Sequence, residues 1–217
     1  MIKLVIFDLD GTLLNTIADL AESTNYALAQ HGFPTHPTTA YNFFVGNGIN
    51  KLFERALPEG EKTEENILRI RQSFLNYYSQ HNRDRSTPYA GIPELLKALQ
   101  QKGIRLAVAS NKYHEATREL IAHYFPETSF VEVLGQREGI APKPDPTIVF
   151  DILATAGVQA EETLFVGDSG VDMQTAKNAK VCACGVTWGF RPRHELEGFQ
   201  PEFIVEEAAE IRGIVGE

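Results

Sequence analysis

The chain predicts an α/β fold, an open doubly wound parallel sheet with a small helical cap inserted after its first strand. Three observations carry that expectation. Short continuous apolar runs recur along the 217 residues. Amphipathic helical patterns separate most of these runs. One long helical segment breaks the rhythm near the N-terminus.

Leu4-Val5-Ile6-Phe7 is a continuous apolar run, as expected of a strand buried on both faces. The next run, Ile104–Ala109, follows a helical pattern from Ile92 to Lys102 and a stop at Gly103. Then come Phe130–Leu134, Thr163–Val166 and Val181–Val186, with a short last strand at Phe203–Val205. Helical patterns over Glu115–His123, Asp145–Ala156 and Gly170–Asn178 lie between them. Strands alternating with helices of this length mean βαβ units and a parallel sheet. Right-handed crossovers then favour an open sheet covered on both faces.

The segment between the first two strands is far longer than the dozen or so residues a crossover needs. Its apolar positions have helical spacing: Leu20, Ala27 and Leu28; Leu52, Phe53 and Leu57; Ile67, Ile70, Phe74, Leu75 and Tyr78. The expected division is an α/β core of residues 1–14 and 87–217 and a helical cap of residues 15–86. The polar run from Asn82 to Pro88 reads as the returning hinge. Because the insertion leaves the carboxyl end of the first strand, it is placed over the edge where open α/β sheets bind ligands.

Bulk properties narrow the function. The chain is 43% hydrophobic and carries 29 acidic against 20 basic residues, a formal charge of −9. With no basic stripe, nucleic-acid binding is not expected. A small anion is still admissible where a metal and one or two cations reverse the local field. The N-terminal apolar run is too short for a signal peptide, and no stretch approaches the roughly 18 apolar residues of a membrane span. A soluble cytoplasmic protein without membrane partners is expected. Cys182 and Cys184, two apart in a strand-like run, belong on one face as small apolar residues.

Chemistry concentrates at the strand ends. In Asp8-Leu9-Asp10-Gly11-Thr12, two carboxylates alternate with a leucine and point the same way if the chain is extended. Such a pair favours a shared proton or a bound cation, and Gly11 lets the backbone turn sharply. Ser110-Asn111-Lys112 ends the next strand, where it offers either a helix cap or a hydroxyl and amides for an anion. In Pro142-Lys143-Pro144-Asp145-Pro146, flanking prolines fix one ammonium, a good point partner for phosphate. Gly167-Asp168-Ser169-Gly170-Val171-Asp172 places two more acids one helical turn apart. The strand before Asp168 is expected beside the first, which gathers Asp8, Asp10 and Asp168. Three carboxylates together call for a hard cation such as Mg2+.

In order and at these positions, the four clusters resemble the motifs of the haloacid dehalogenase superfamily, phosphatase branch, over essentially the whole chain. Phe44–Gly48, Ser110-Asn111-Lys112 and Gly185-Val186-Thr187-Trp188-Gly189 are similar to the phosphoglycolate phosphatase subgroup. The resemblance implies a Mg2+-dependent phosphatase for a small phosphomonoester, best matched by 2-phosphoglycolate. Asp8 would form an aspartyl-phosphate and Asp10 would shuttle the proton. Ser110 and Lys143 would hold the phosphoryl group. Asp8, the Asp10 carbonyl and Asp168 would ligate Mg2+, with Asp172 in or just behind that shell. Thr12, Gly46, Asn47, Gly48 and Asn111 would meet substrate, the cap glycines when the cap closes. Trp188 could line the site or pack on the core. A sugar phosphomutase, a pyrophosphatase or a nucleotidase shares these motifs. A catalytically silent phospho-ligand module would normally lack the nucleophile or metal ligands, and all are present here.

Overall fold

The computed structural model describes residues 1–216. The strands are β1 (Leu4–Phe7), β2 (Leu14–Asn15), β3 (Thr87–Pro88), β4 (Arg105–Tyr113), β5 (Phe130–Gln136), β6 (Thr163–Gly167), β7 (Cys182–Val186) and β8 (Phe203–Val205). Six of them form one parallel sheet in the order β5-β4-β1-β6-β7-β8. The order reverses at β1, whose neighbours β4 and β6 both lie far along the chain. This is the topological switch point at which such sheets form a crevice.

Strand alternation splits the apolar residues into two cores. Val5 and Phe7 join Leu106, Val108, Leu164 and Val166 on one face. Leu4 and Ile6 join Ala107, Ala109 and Phe165 on the other. The first face is covered by α5 (Ile92–Gln101), α6 (His114–Tyr124) and the last helix, Glu210–Ile214, through residues such as Leu96, Leu99, Leu120 and Ile211. The second is covered by α7 (Thr147–Ala156) and α8 (Gly170–Ala179), through Val149, Ile152, Met173 and Ala176. Burial on both faces explains why these strands read as unbroken apolar runs rather than alternating ones. Cys182 and Cys184 both pack against the first core.

The insertion forms α1 (Ile17–Gln30), α2 (Tyr41–Phe44), α3 (Ile49–Ala56) and α4 (Glu64–His81) around a third apolar cluster. Leu28, Phe53, Ile70 and Phe74 lie at its centre. Thr63 starts α4 by accepting the Asn66 N–H at 3.2 Å. The two crossings pair with each other as β2 and β3, Leu14 opposite Pro88 and Asn15 opposite Thr87. Asp19 in the first turn of α1 fixes the return crossing. Its carboxylate accepts the Arg85 N–H at 2.9 Å, the Ser86 N–H at 2.9 Å and the Ser86 hydroxyl at 2.6 Å.

Most boundaries shift by a residue or two from the sequence reading, and two of the differences have clear local reasons. Helix α7 begins at Thr147 rather than Asp145, because the Asp145 carboxylate instead accepts the Thr147 N–H at 2.9 Å. Strand β4 runs past Ala109 to Tyr113 with a bulge. Ala109 pairs with Leu134 and Tyr113 with Gln136, so four steps on β4 face two on β5. The extra residues displace Ser110-Asn111-Lys112 from the ladder at the sheet's carboxyl edge. Among the described residues, no helix is long and apolar enough to cross a membrane.

Candidate active site

The register of β1 against β6 pairs Phe7 with Val166, so Asp8 leaves the sheet beside Gly167 and one residue from Asp168, whose carboxylate lies within 4.8 Å of its own. After Asp8 the chain folds back on itself, and the Leu9 carbonyl accepts the N–H groups of Leu13 and Leu14 at 3.0 Å each. Gly11 sits within this turn at φ +90°, a conformation open chiefly to glycine. A methyl group there would also overlap the Asp168 carboxylate. Gly11→Ala is therefore expected to displace Asp168 and lower divalent-metal affinity at least tenfold. Metal titration by calorimetry checks this; unchanged affinity would contradict the geometry.

Lys143 ties the acids together. It is 2% exposed, and its ammonium donates to Asp172 Oδ1 at 2.7 Å and to the Ala109 carbonyl at 2.8 Å. It stands 3.0 Å from Asp8 Oδ1. Asp172 Oδ2 accepts the Ser169 N–H and hydroxyl at 3.1 and 2.6 Å. Asp168 Oδ2 accepts the Phe190 N–H at 2.7 Å. Burial alone would lower the Lys143 pKa, but Asp172 and Asp8 outweigh it and raise it. The ammonium is therefore charged.

One ammonium does not balance these acids. Oxygens of Asp8, Asp168 and Asp172 lie within 4.8 Å of one another, and all three residues are buried. Burial pushes the Asp8 carboxyl up to about 7, with Asp172 and Asp10 adding repulsion against the opposing pull of Lys143. Burial, then Asp172 and Asp8, hold Asp168 well above the usual carboxylate range. A buried all-oxygen set short of positive charge fits a hard divalent cation.

Asp10 has different surroundings. Its Oδ1 accepts the Thr16 hydroxyl at 2.7 Å, and its two oxygens accept from the Lys112 ammonium at 3.2 and 3.1 Å. Asp8, Asp10, Ser110, Asn111 and Lys112 line a cavity of about 80 Å³ between sheet edge and cap. Gly46 and Gly48 close it from the cap. The Asn47 side chain is directed elsewhere: it accepts from Arg55 at 2.7 Å, and the residue lines a neighbouring crevice of about 630 Å³. Thr12 is fully buried outside the cavity, with its hydroxyl 3.5 Å from Asp168 Oδ1. Asn111 is committed within the protein. It accepts the Lys143 N–H at 2.7 Å and donates to the carbonyls of Lys143 and Gly46, each at 3.0 Å. Trp188 packs against the first core and donates to the Thr12 carbonyl at 3.1 Å, supporting the turn from below.

Sequence reasoning overlooked three contributors. In the sequence Lys112 reads only as part of a strand-end cluster and Tyr78 only as an apolar cap position, and Arg191 carries no signal. Arg191, in the loop beyond Trp188, donates to the Val45 carbonyl at 3.0 Å and so holds the cap loop from the core side. The bulge in β4 that turns Lys112 toward Asp10 has no local signature.

Comparison with known proteins agrees with this geometry. The sequence model of the family "Haloacid dehalogenase-like hydrolase" matches residues 5–186. The chain is 33% identical to the phosphoglycolate phosphatase of Vibrio vulnificus, covering 99% of this chain and 96% of that one. It is 32% identical to the enzyme of the same name from Mannheimia succiniciproducens, with 98% of each covered. A crystal structure from Lactobacillus delbrueckii subsp. bulgaricus, 33% identical, superposes with a TM-score of 0.91 over 99% of both chains. With the sheet order, the acid cluster and these matches in agreement, the chain belongs to the haloacid dehalogenase-like hydrolases.

Proposed function

We propose that the protein is a Mg2+-dependent phosphatase for a small phosphomonoester, with 2-phosphoglycolate its preferred substrate. The observation that carries this reading is the separate placement of two neighbouring carboxylates. Asp8 lies beside Lys143 within the acid cluster. Asp10 faces the cavity beneath the cap, on the side where a leaving group would sit. An Asp8 oxygen attacks phosphorus, the bond to the ester oxygen breaks, and Asp10 gives that oxygen its proton. Water then attacks the phosphoryl group, Asp10 takes a proton from it, and the bond to Asp8 breaks. Ser110 and Lys143 hold the transferring oxygens. Asp8 and Asp168 would hold Mg2+ together with the Asp10 carbonyl. Both oxygens of Asp172 are already engaged by Lys143 and Ser169, so Asp172 orients the cluster from behind. Mg2+ supplies neutralisation of the charge shared by nucleophile and phosphate.

The cavity argues for a small leaving group. Apart from the Tyr78 hydroxyl and the backbone of Gly46 and Gly48, its cap wall is apolar, built from Leu20, Val45, Ile49, Leu52, Phe74 and Leu75. A sugar would bury hydroxyls against these side chains without partners, a penalty that small acids avoid. This disfavours a phosphomutase. The named substrate rests on the relatives at 32–33% identity. A panel of phosphoesters with and without Mg2+ tests the reading through release of inorganic phosphate. Metal-dependent release with 2-phosphoglycolate at the head of the panel is expected. No release from any ester would overturn it.

A further inference from the structure

We propose that Lys112 and Tyr78 together form a subsite for the leaving group, and that this subsite takes a carboxylate borne one carbon from the ester oxygen. The inference rests on the phosphatase reading and adds the residues that select the substrate.

Three features of the cavity lead to it. Of the side chains that line it, Lys112 alone is cationic. Its side chain is only 5% exposed, and its bonds to Asp10 use part of an ammonium that has three donors. Against it packs Tyr78, carried by α4 of the cap, with the Lys112 ammonium over its ring, 4.8 Å from the ring centre. The Tyr78 residue is 4% exposed and lines the same cavity, and among the described residues its hydroxyl has no partner at hydrogen-bonding distance. A buried hydroxyl without a partner is uncommon in folded proteins and calls for an explanation. Burial pushes its phenol up to about 12, so it keeps its proton and is available as a donor.

An ammonium and an unpaired donor facing one small cavity match an anionic acceptor. The position of Asp10 fixes how far that acceptor lies from the scissile bond. Lys112 touches Asp10 at 3.1 Å, and Asp10 must reach the ester oxygen to protonate it. A group that meets Lys112 is therefore within a few bonds of that oxygen. A carboxylate on the adjacent carbon meets this limit. A neutral alcohol there would leave Lys112 without a counter-anion from the substrate. Because Lys112 belongs to the core and Tyr78 to the cap, the subsite exists only where the two are closed together, so the acid that fits also favours closure.

The test compares kcat/KM for 2-phosphoglycolate with that for 2-hydroxyethyl phosphate, in which a hydroxymethyl group replaces the carboxylate. The ratio is measured for the wild type, Lys112→Met and Tyr78→Phe. The assignment predicts that the ratio falls about 100-fold in Lys112→Met and about fivefold in Tyr78→Phe, chiefly through KM for the acid. Removing an unpaired hydroxyl should leave the Tyr78→Phe fold intact, so that variant decides if Lys112→Met does not fold. A ratio unmoved by either substitution, with both esters affected alike, would mean that Lys112 only supports Asp10 and would overturn the assignment. A wild type that hydrolyses neither ester would overturn the phosphatase reading beneath it.

Discussion

Asp8→Asn is expected to lower phosphate release by roughly four orders of magnitude or more, because the amide has no anionic oxygen to attack phosphorus. The same substitution should change stability in a direction unusual for an active-site loss. In the unfolded chain Asp8 titrates near about 3.9. In the metal-free fold its carboxyl is pushed up to about 7, by burial first and then by Asp172 and Asp10. Between those values the folded state holds a proton that the unfolded state has lost. Metal-free protein is therefore most stable in acid and loses stability as pH rises through about 7, by on the order of a few kcal/mol. Mg2+ should reverse that loss, since it favours the ionised cluster. Asn at position 8 removes the Asp8 share of the effect, while Asp168, raised by burial first and then by Asp172 and Asp8, keeps the part owed to burial and Asp172. Thermal unfolding at pH 5 and pH 8 in chelator measures both. A wild type more stable at pH 8 than at pH 5 without metal would contradict the charge balance described here.

Lys143→Met is expected to cost both activity and stability. The ammonium meets Asp8, Asp172 and the Ala109 carbonyl, and methionine leaves two buried carboxylates without their cation. Breaking a buried pair from one side typically costs about 3–5 kcal/mol. For a chain of this size that lowers the melting temperature by roughly 10 °C. Loss of a charge held on the transferring phosphoryl group adds a fall in kcat of about 10²–10³-fold. A second substitution, Asp172→Asn, separates the two effects. It should recover part of the stability by removing one stranded charge, and none of the activity. A Lys143→Met protein with an unchanged melting temperature would show that these contacts carry little of the fold.

Much of this arrangement is legible in the sequence because the sheet is buried on both faces. Leu4–Phe7 and Thr163–Val166 stand out as apolar runs, and the acids that follow them mark where each run ends. The adjacency of those two strands follows from doubly wound topology, which brings Asp8 and Asp168 together without any local signal. The cap helices are legible through their spacing, since Leu28, Phe53, Ile70 and Phe74 all point into one cluster. What the sequence hides is set by pairing between distant segments. The bulge in β4 depends on its register against β5 and decides that Lys112 turns to Asp10. Asn47 reads as a substrate contact from its glycine neighbours, yet Arg55, in the last turn of the next helix, takes its side chain. Tyr78 looks like any apolar cap position, and only the closed assembly shows its hydroxyl unpaired.

The central claim is that Asp8 itself carries the phosphoryl group between two half-reactions, and rapid acid quench of enzyme turning over a phosphate-labelled ester tests it most directly. Slowing the second half-reaction, as in an Asp10→Asn variant given an aryl phosphate whose leaving group needs no proton, should let the intermediate accumulate. The account predicts one labelled phosphoryl group per active site, located on the peptide containing Asp8 and released by hydroxylamine as expected of an acyl phosphate. Full turnover with no label on that peptide, or a label on any other residue, would contradict it.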